Sequence, residues 1–159
     1  LLLSGCAAAP QANSEYSAED INFAEMMIPH HEQAILMSDI ALTNSISEEI
    51  LVLAQEIKDA QSPEIELMKS WTGVDSSTHM GHMMDGMLSE SQIQELRDSE
   101  GATFDRLFLE GMIAHHEGAI TMAQKVTGSE NKEVAALATA IIEAQEKEIA
   151  FMRELIKFY

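Results

Sequence analysis

All six histidines of this 159-residue chain stand in pairs: His30 with His31, His115 with His116, and His79 with His82. Imidazole recurring beside methionine is a chemistry for soft transition metals. The thioether is a neutral, polarisable donor that binds Cu(I) and Ag(I) well, whereas Mg, Ca and Mn prefer oxygen. A lone histidine on an apolar stripe is more often a satisfied core group than a ligand. Duplication changes that expectation, because Met27 to Ile35 (Met-Ile-Pro-His-His-Glu-Gln-Ala-Ile) returns as Met112 to Ile120 (Met-Ile-Ala-His-His-Glu-Gly-Ala-Ile) at an offset of 85 residues. The run His79, Met80, His82, Met83, Met84 and Met87 lies among glycines and reads as a flexible copper-binding stretch, or as a methionine-rich gap filler or partner surface.

The repeat extends well beyond the histidines. Between 20–37 and 105–122, eleven of eighteen positions are identical. A second match pairs Ala54–Met68 with Ala138–Met152 at an offset of 84 and retains Gln61/Gln145, Glu64/Glu148 and Met68/Met152. Each half therefore reads as helix, turn, helix, and the fold class as all-α, a four-helix bundle of two duplicated hairpins. Phe23, Met27, His30, Ala34, Met37 and Ala41 step by threes and fours, as do Phe108, Met112, His115, Ala119, Met122 and Val126, which makes inward stripes. At that spacing Met37, Met68, Met122 and Met152 are core residues first and ligands second.

Helices are expected near 17–43, 47–71, 102–127 and 130–157, with a short one from Ser89 to about Ser99. Ser17, Ser47 and Ser129 are the expected caps, and Gly128 the expected end of the third long helix. Pro29 and Pro63 fall inside helices, where each removes an amide donor and should bend the axis.

Nine Lys and Arg against 27 Asp and Glu give a formal charge of −18, which repels nucleic acid and suits cations, although such a surface is commonly just solvated. Residues 1–16 read as a lipoprotein signal remnant and tether, because Leu3-Ser4-Gly5-Cys6 resembles a bacterial lipobox that would lipidate Cys6; the alternative is a ragged apolar end. Residues 17–158 form the metal-binding domain, with 72–101 as a His/Met-rich connection. The expected place is the bacterial cell envelope, extracytoplasmic or periplasmic, with membrane contact through the lipid alone.

These residues resemble a named family, the bacterial domain of unknown function 305 proteins, over roughly 18–157. The likeness rests on Asp20, Phe23, Met27, His30, His31, Ala34 and Met37, their counterparts in the second half, and the two Gln-x-x-Glu-x-x-x-Met pieces. It implies a ferritin-like bundle, secreted or lipid-anchored, associated with copper binding and tolerance. It also implies copper ligation by His30, His31, His115 and His116 with Met27 and Met112.

The expected function is copper sequestration, tolerance or trafficking without catalysis, with Cu(I) preferred, Cu(II) accommodated, and metal ions and copper-handling proteins as partners. A ferritin-like di-metal oxidase is one alternative, since Glu64 and Glu148 could approach His30 and His115; against it, the Glu-x-x-His motif of such sites is missing. A purely structural bundle with surface histidines is another. Glu32, Glu117, Glu64 and Glu148 are candidates for supporting the ligands from behind. No H-E-x-x-H, phosphate loop or nucleophile elbow occurs.

Overall fold

The computed structural model describes residues 15–77 and 84–159. His79, Met80, His82, Met83 and Cys6 therefore lie outside the described residues, and the readings made of them are not addressed by the structure. Four long helices carry the chain: α1 (Ala18–Asn44), α2 (Glu48–Lys69), α4 (Gly101–Ala123) and α5 (Lys132–Leu155), with a short α3 (Glu90–Asp98) before α4. There is no strand among the described residues. Helices α1 and α4 pack together at the centre, α2 lies on α1, and α5 lies on α4.

Local chemistry explains the boundaries. Ser17 and Asp20 form a reciprocal capping box at the start of α1, and Ser89 with Gln92 does the same for α3. Two expected caps differ. Ser47 directs its hydroxyl to Glu49 rather than to the helix backbone, and α5 is capped by Asn131, whose side chain accepts from the Glu133 and Val134 amides. Ser129 instead accepts from the Asn131 amide and so shapes the turn before the cap. The third long helix stops at Ala123, earlier than expected, and tightens into a single 3-10 turn over Gln124–Val126 before Gly128 is reached. Helices α1 and α2 run through Pro29 and Pro63.

The apolar stripes close into two lobes. One gathers Met37, Ile57, Phe108, Met112, Ile149 and Met152; the other gathers Phe23, Met27, Ile65, Met68, Met122 and Ile141. Every residue in the first set is the repeat counterpart of one in the second. The two halves are thus related by a pseudo-two-fold rotation that exchanges the lobes, and α1 runs antiparallel to α4. Burying large apolar side chains in this way stabilises the fold by roughly 1.5–3 kcal/mol each. Between the lobes lies a polar layer holding the histidines of α1 and α4, Gln61 and Glu64 of α2, and Gln145 and Glu148 of α5.

Candidate metal centre

A rotation axis is the only place where a residue can meet its own counterpart, and His30 meets His115 there. The two ring centroids are 3.8 Å apart with planes inclined by 41°. His116 flanks His115 at 6.3 Å between ring centroids. All four histidines of α1 and α4 are fully buried, which corrects the surface placement assumed in the structural-bundle alternative. Central helices explain this: α1 and α4 each have neighbours on two sides, so both adjacent histidines find cover.

The outer pair is held by carboxylates. His31 Nε2 lies 2.8 Å from a Glu64 oxygen, and His116 Nε2 lies 2.5 Å from a Glu148 oxygen. Glu64 and Glu148 thus reach His31 and His116 as hydrogen-bond partners, not His30 and His115 as the oxidase reading expected. A carboxylate oxygen accepts, so Nε2–H of each imidazole donates. His30 Nε2–H donates to the Asp85 backbone carbonyl at 3.2 Å. The Nδ1 atoms of His30, His31, His115 and His116 have no hydrogen-bond partner, and neither does Nε2 of His115. Leaving a buried polar atom unpaired costs about 1–3 kcal/mol. Five histidine nitrogens in one layer, with atoms of Gln61 and Gln145 beside them, are thus left with unused hydrogen-bonding capacity.

Burial, the His31 charge and, more weakly, that of His116 push the His30 pKa down to about 3 against the Asp85 carbonyl, which favours the charged ring. Burial acts on His115 first, followed by the charges at His30, His116 and His31, and together they hold it well below the ordinary histidine value although the His30 backbone pulls slightly the other way. Both rings are therefore neutral at physiological pH. Their lone pairs are open to a cation, with no proton to displace.

Neutral imidazole nitrogen suits copper, zinc, iron or nickel, and the buried unpartnered nitrogens fit such an ion. Among the described residues no group of three or more His, Cys, Asp or Glu side chains is already gathered to hold a metal. What stands preformed is an imidazole pair. Met27 and Met112 lie three residues before His30 and His115, fully buried, one in each lobe. Met84 is half-buried against the lobe of Trp71, and the half-buried Met87 donates its amide to the Met84 carbonyl. Glu32 and Glu117 lie elsewhere. They sit at the surface in ion pairs with Lys69 and Arg153, themselves a repeat pair, because the residue after each His-His turns outward.

Asp85, Gln33 and Gly118 escaped the sequence reading. The signal was present in the repeat itself: where α1 has Met26, Pro29 and Gln33, α4 has Gly111, Ala114 and Gly118, small residues along one face that seat the segment before α3.

The family model described as a domain of unknown function (DUF305) matches residues 20–156. A crystal structure from Streptomyces coelicolor, described as a candidate secreted protein of that family, is 29% identical with a TM-score of 0.79, covering 86% of this chain and 91% of the other. A DUF305 fragment from Deinococcus radiodurans is 26% identical with the same TM-score of 0.79, covering 90% of this chain and 98% of the other. CopM in its Cu(II)-bound form is 34% identical with a TM-score of 0.76, covering 88% and 97%. CopM is also known in Cu(I)-bound, silver-bound and apo forms. No match is found among curated proteins. The chain belongs to the DUF305 family.

Proposed function

We propose that this protein binds copper in the cell envelope and serves copper sequestration, tolerance or trafficking, without catalysing a reaction. The observation that carries the reading is the buried, neutral His30–His115 pair, whose rings meet on the pseudo-two-fold axis and carry unpartnered nitrogens. CopM, at 30–34% identity with copper- and silver-bound forms, supports the choice of ion. Cu(I) is the preferred cargo and Ag(I) its analogue. Cu(II) is accommodated by the same imidazoles.

His30 and His115 supply the central nitrogens, and Met27 and Met112 are the thioethers nearest to them in sequence. Glu64 and Glu148 orient His31 and His116 from behind, as carboxylates commonly do for ligating histidines. The two lobes exclude water and fold without the ion, so cargo can leave without unfolding the bundle. Among the described residues no helix is long and apolar enough to cross a membrane. Attachment through lipid on Cys6 is the proposed route to a membrane surface, resting on the lipobox-like Leu3-Ser4-Gly5-Cys6, and loss of membrane association in Cys6→Ala is its test.

The experiment is copper loading under reducing conditions, followed by desalting and metal analysis. Copper that stays with a chain whose helicity survives later chelation supports the reading. No retained copper in folded protein refutes it. Retained iron with oxygen consumption after anaerobic iron loading points to the di-metal oxidase instead.

A further inference from the structure

The pseudo-symmetry is broken where the chain segment leading into α3 crosses the histidine layer. Counterpart positions 33 and 118 have diverged into two different grips on that segment. On α1, Gln33 clasps Leu88 in both directions: its amide nitrogen donates to the Leu88 carbonyl at 2.8 Å, and its oxygen accepts from the Leu88 amide at 2.7 Å. On α4, Gly118 has no side chain, and a Cβ there would lie 1.9 Å from the Asp85 carbonyl oxygen and 2.7 Å from its carbon. Gly86 interlocks from the other side. Its φ of +83° favours glycine, and a Cβ there would lie 2.3 Å from the Ala114 carbonyl oxygen. Neither contact admits another residue without moving backbone.

The close approach places the Asp85 carbonyl 3.2 Å from His30 Nε2, whereas His115 has no hydrogen-bond partner at either ring nitrogen. A carbonyl can only accept, so it selects one tautomer of a neutral imidazole. We infer that the Asp85–Gly86 turn, admitted by Gly118 and clasped by Gln33, positions His30 as its Nε2–H tautomer so that Nδ1 is the atom offered to an incoming ion. A donor whose tautomer is set before the ion arrives presents its lone pair in a fixed direction. Asp85, Gly86, Gly118 and Gln33 are positioning residues, acting through His30. The tautomer assignment stands on hydrogen bonding alone; only its consequence for copper rests on the proposed function.

Long-range ¹H–¹⁵N correlation spectra of the metal-free protein read the tautomer directly. The wild type should show His30 with a protonated Nε2 and a bare Nδ1. Gly118→Ala should displace the turn and turn that signal into a tautomer mixture, with His31 and His116 unchanged because Glu64 and Glu148 hold them. Gln33→Ala, which removes the clasp without adding a clash, should give a smaller change in the same direction and carries the test if Gly118→Ala does not fold. Cu(I) affinity, measured against a chromophoric chelator, should fall roughly tenfold in Gly118→Ala, at the lower end of what losing such a supporting contact costs. A wild-type His30 found protonated at Nδ1, or a His30 signal unchanged in the folded variants, overturns the inference whether or not copper binds. A wild type that retains no copper refutes the functional reading and leaves the tautomer result to decide this one.

Discussion

His30 and His115 are counterparts by duplication and neighbours across the pseudo-axis, yet one ring donates to the Asp85 carbonyl and the other completes no hydrogen bond. The outer histidines behave differently: His31 and His116 keep matching partners in Glu64 and Glu148. The lobes match at most helix positions, as in Phe23/Phe108 and Met68/Met152, whereas Leu88, Leu96 and Phe104 extend one lobe without an apolar counterpart in the other. The difference teaches where a duplicated fold can diverge. Core and outer layer are constrained by packing common to both halves, whereas the segment before α3 can cross the layer on one side only, and it leaves the two central rings unequal.

If the lobes are equivalent, truncating Phe23 or Phe108 should cost about the same, roughly 3–5 kcal/mol for either Ala variant in urea unfolding of the metal-free protein. A large inequality would break the pseudo-symmetric account of the core. Next in size, Glu64→Gln and Glu148→Gln should each weaken Cu(I) binding about 10–100-fold, by matching amounts. Chelator competition that finds only one of them affected would confine the site to one half.

The pH dependence sharpens the contrast between the buried pair and ordinary histidines. Unfolded, these residues take up protons near pH 6.5; folded, His30 does so only at about pH 3, and His115 is also held well below its ordinary value. Between those limits the unfolded chain binds more protons, so stability falls as pH drops from 6.5 towards 3, by up to about 1.4 kcal/mol per pH unit for each such ring. Denaturant titrations of the metal-free wild type should show this slope in excess of that of the His30→Ala/His115→Ala variant. Equal slopes would mean that the rings are accessible to protons in the folded state. The smallest effect belongs to Glu32→Ala and Glu117→Ala: these remove exposed ion pairs and should change stability by about 0–1 kcal/mol. Copper titrations of both variants should overlay those of the wild type, and a marked loss would return these glutamates to the site.

Much of this architecture was legible from residue spacing. The repeat of Met-Ile-x-His-His-Glu and of Gln-x-x-Glu-x-x-x-Met specified two hairpins, and the threes and fours of Phe23 to Ala41 specified their inner faces. The pairing of His31 with Glu64 was not legible, because an inward stripe one residue wide placed only His30 inside. A central helix with neighbours on two sides buries a broader face than one stripe suggests. Glu32, one position further, does lie outside. The grip on Asp85 was hidden for another reason: it depends on the absence of a side chain at Gly118, and a glycine inside a helix carries no meaning until the backbone that approaches it is known.

The central claim is that an ion is held at the imidazole pair on the pseudo-axis, and copper content per folded chain tests it most directly. Wild type and the His30→Ala/His115→Ala variant are loaded with Cu(I) under reducing conditions, desalted against a competing chelator and assayed for metal, with circular dichroism confirming that both are helical. The account predicts that the wild type retains copper and that the double variant loses its most tightly held fraction. Equal retention by both folded proteins would contradict it and place the copper elsewhere.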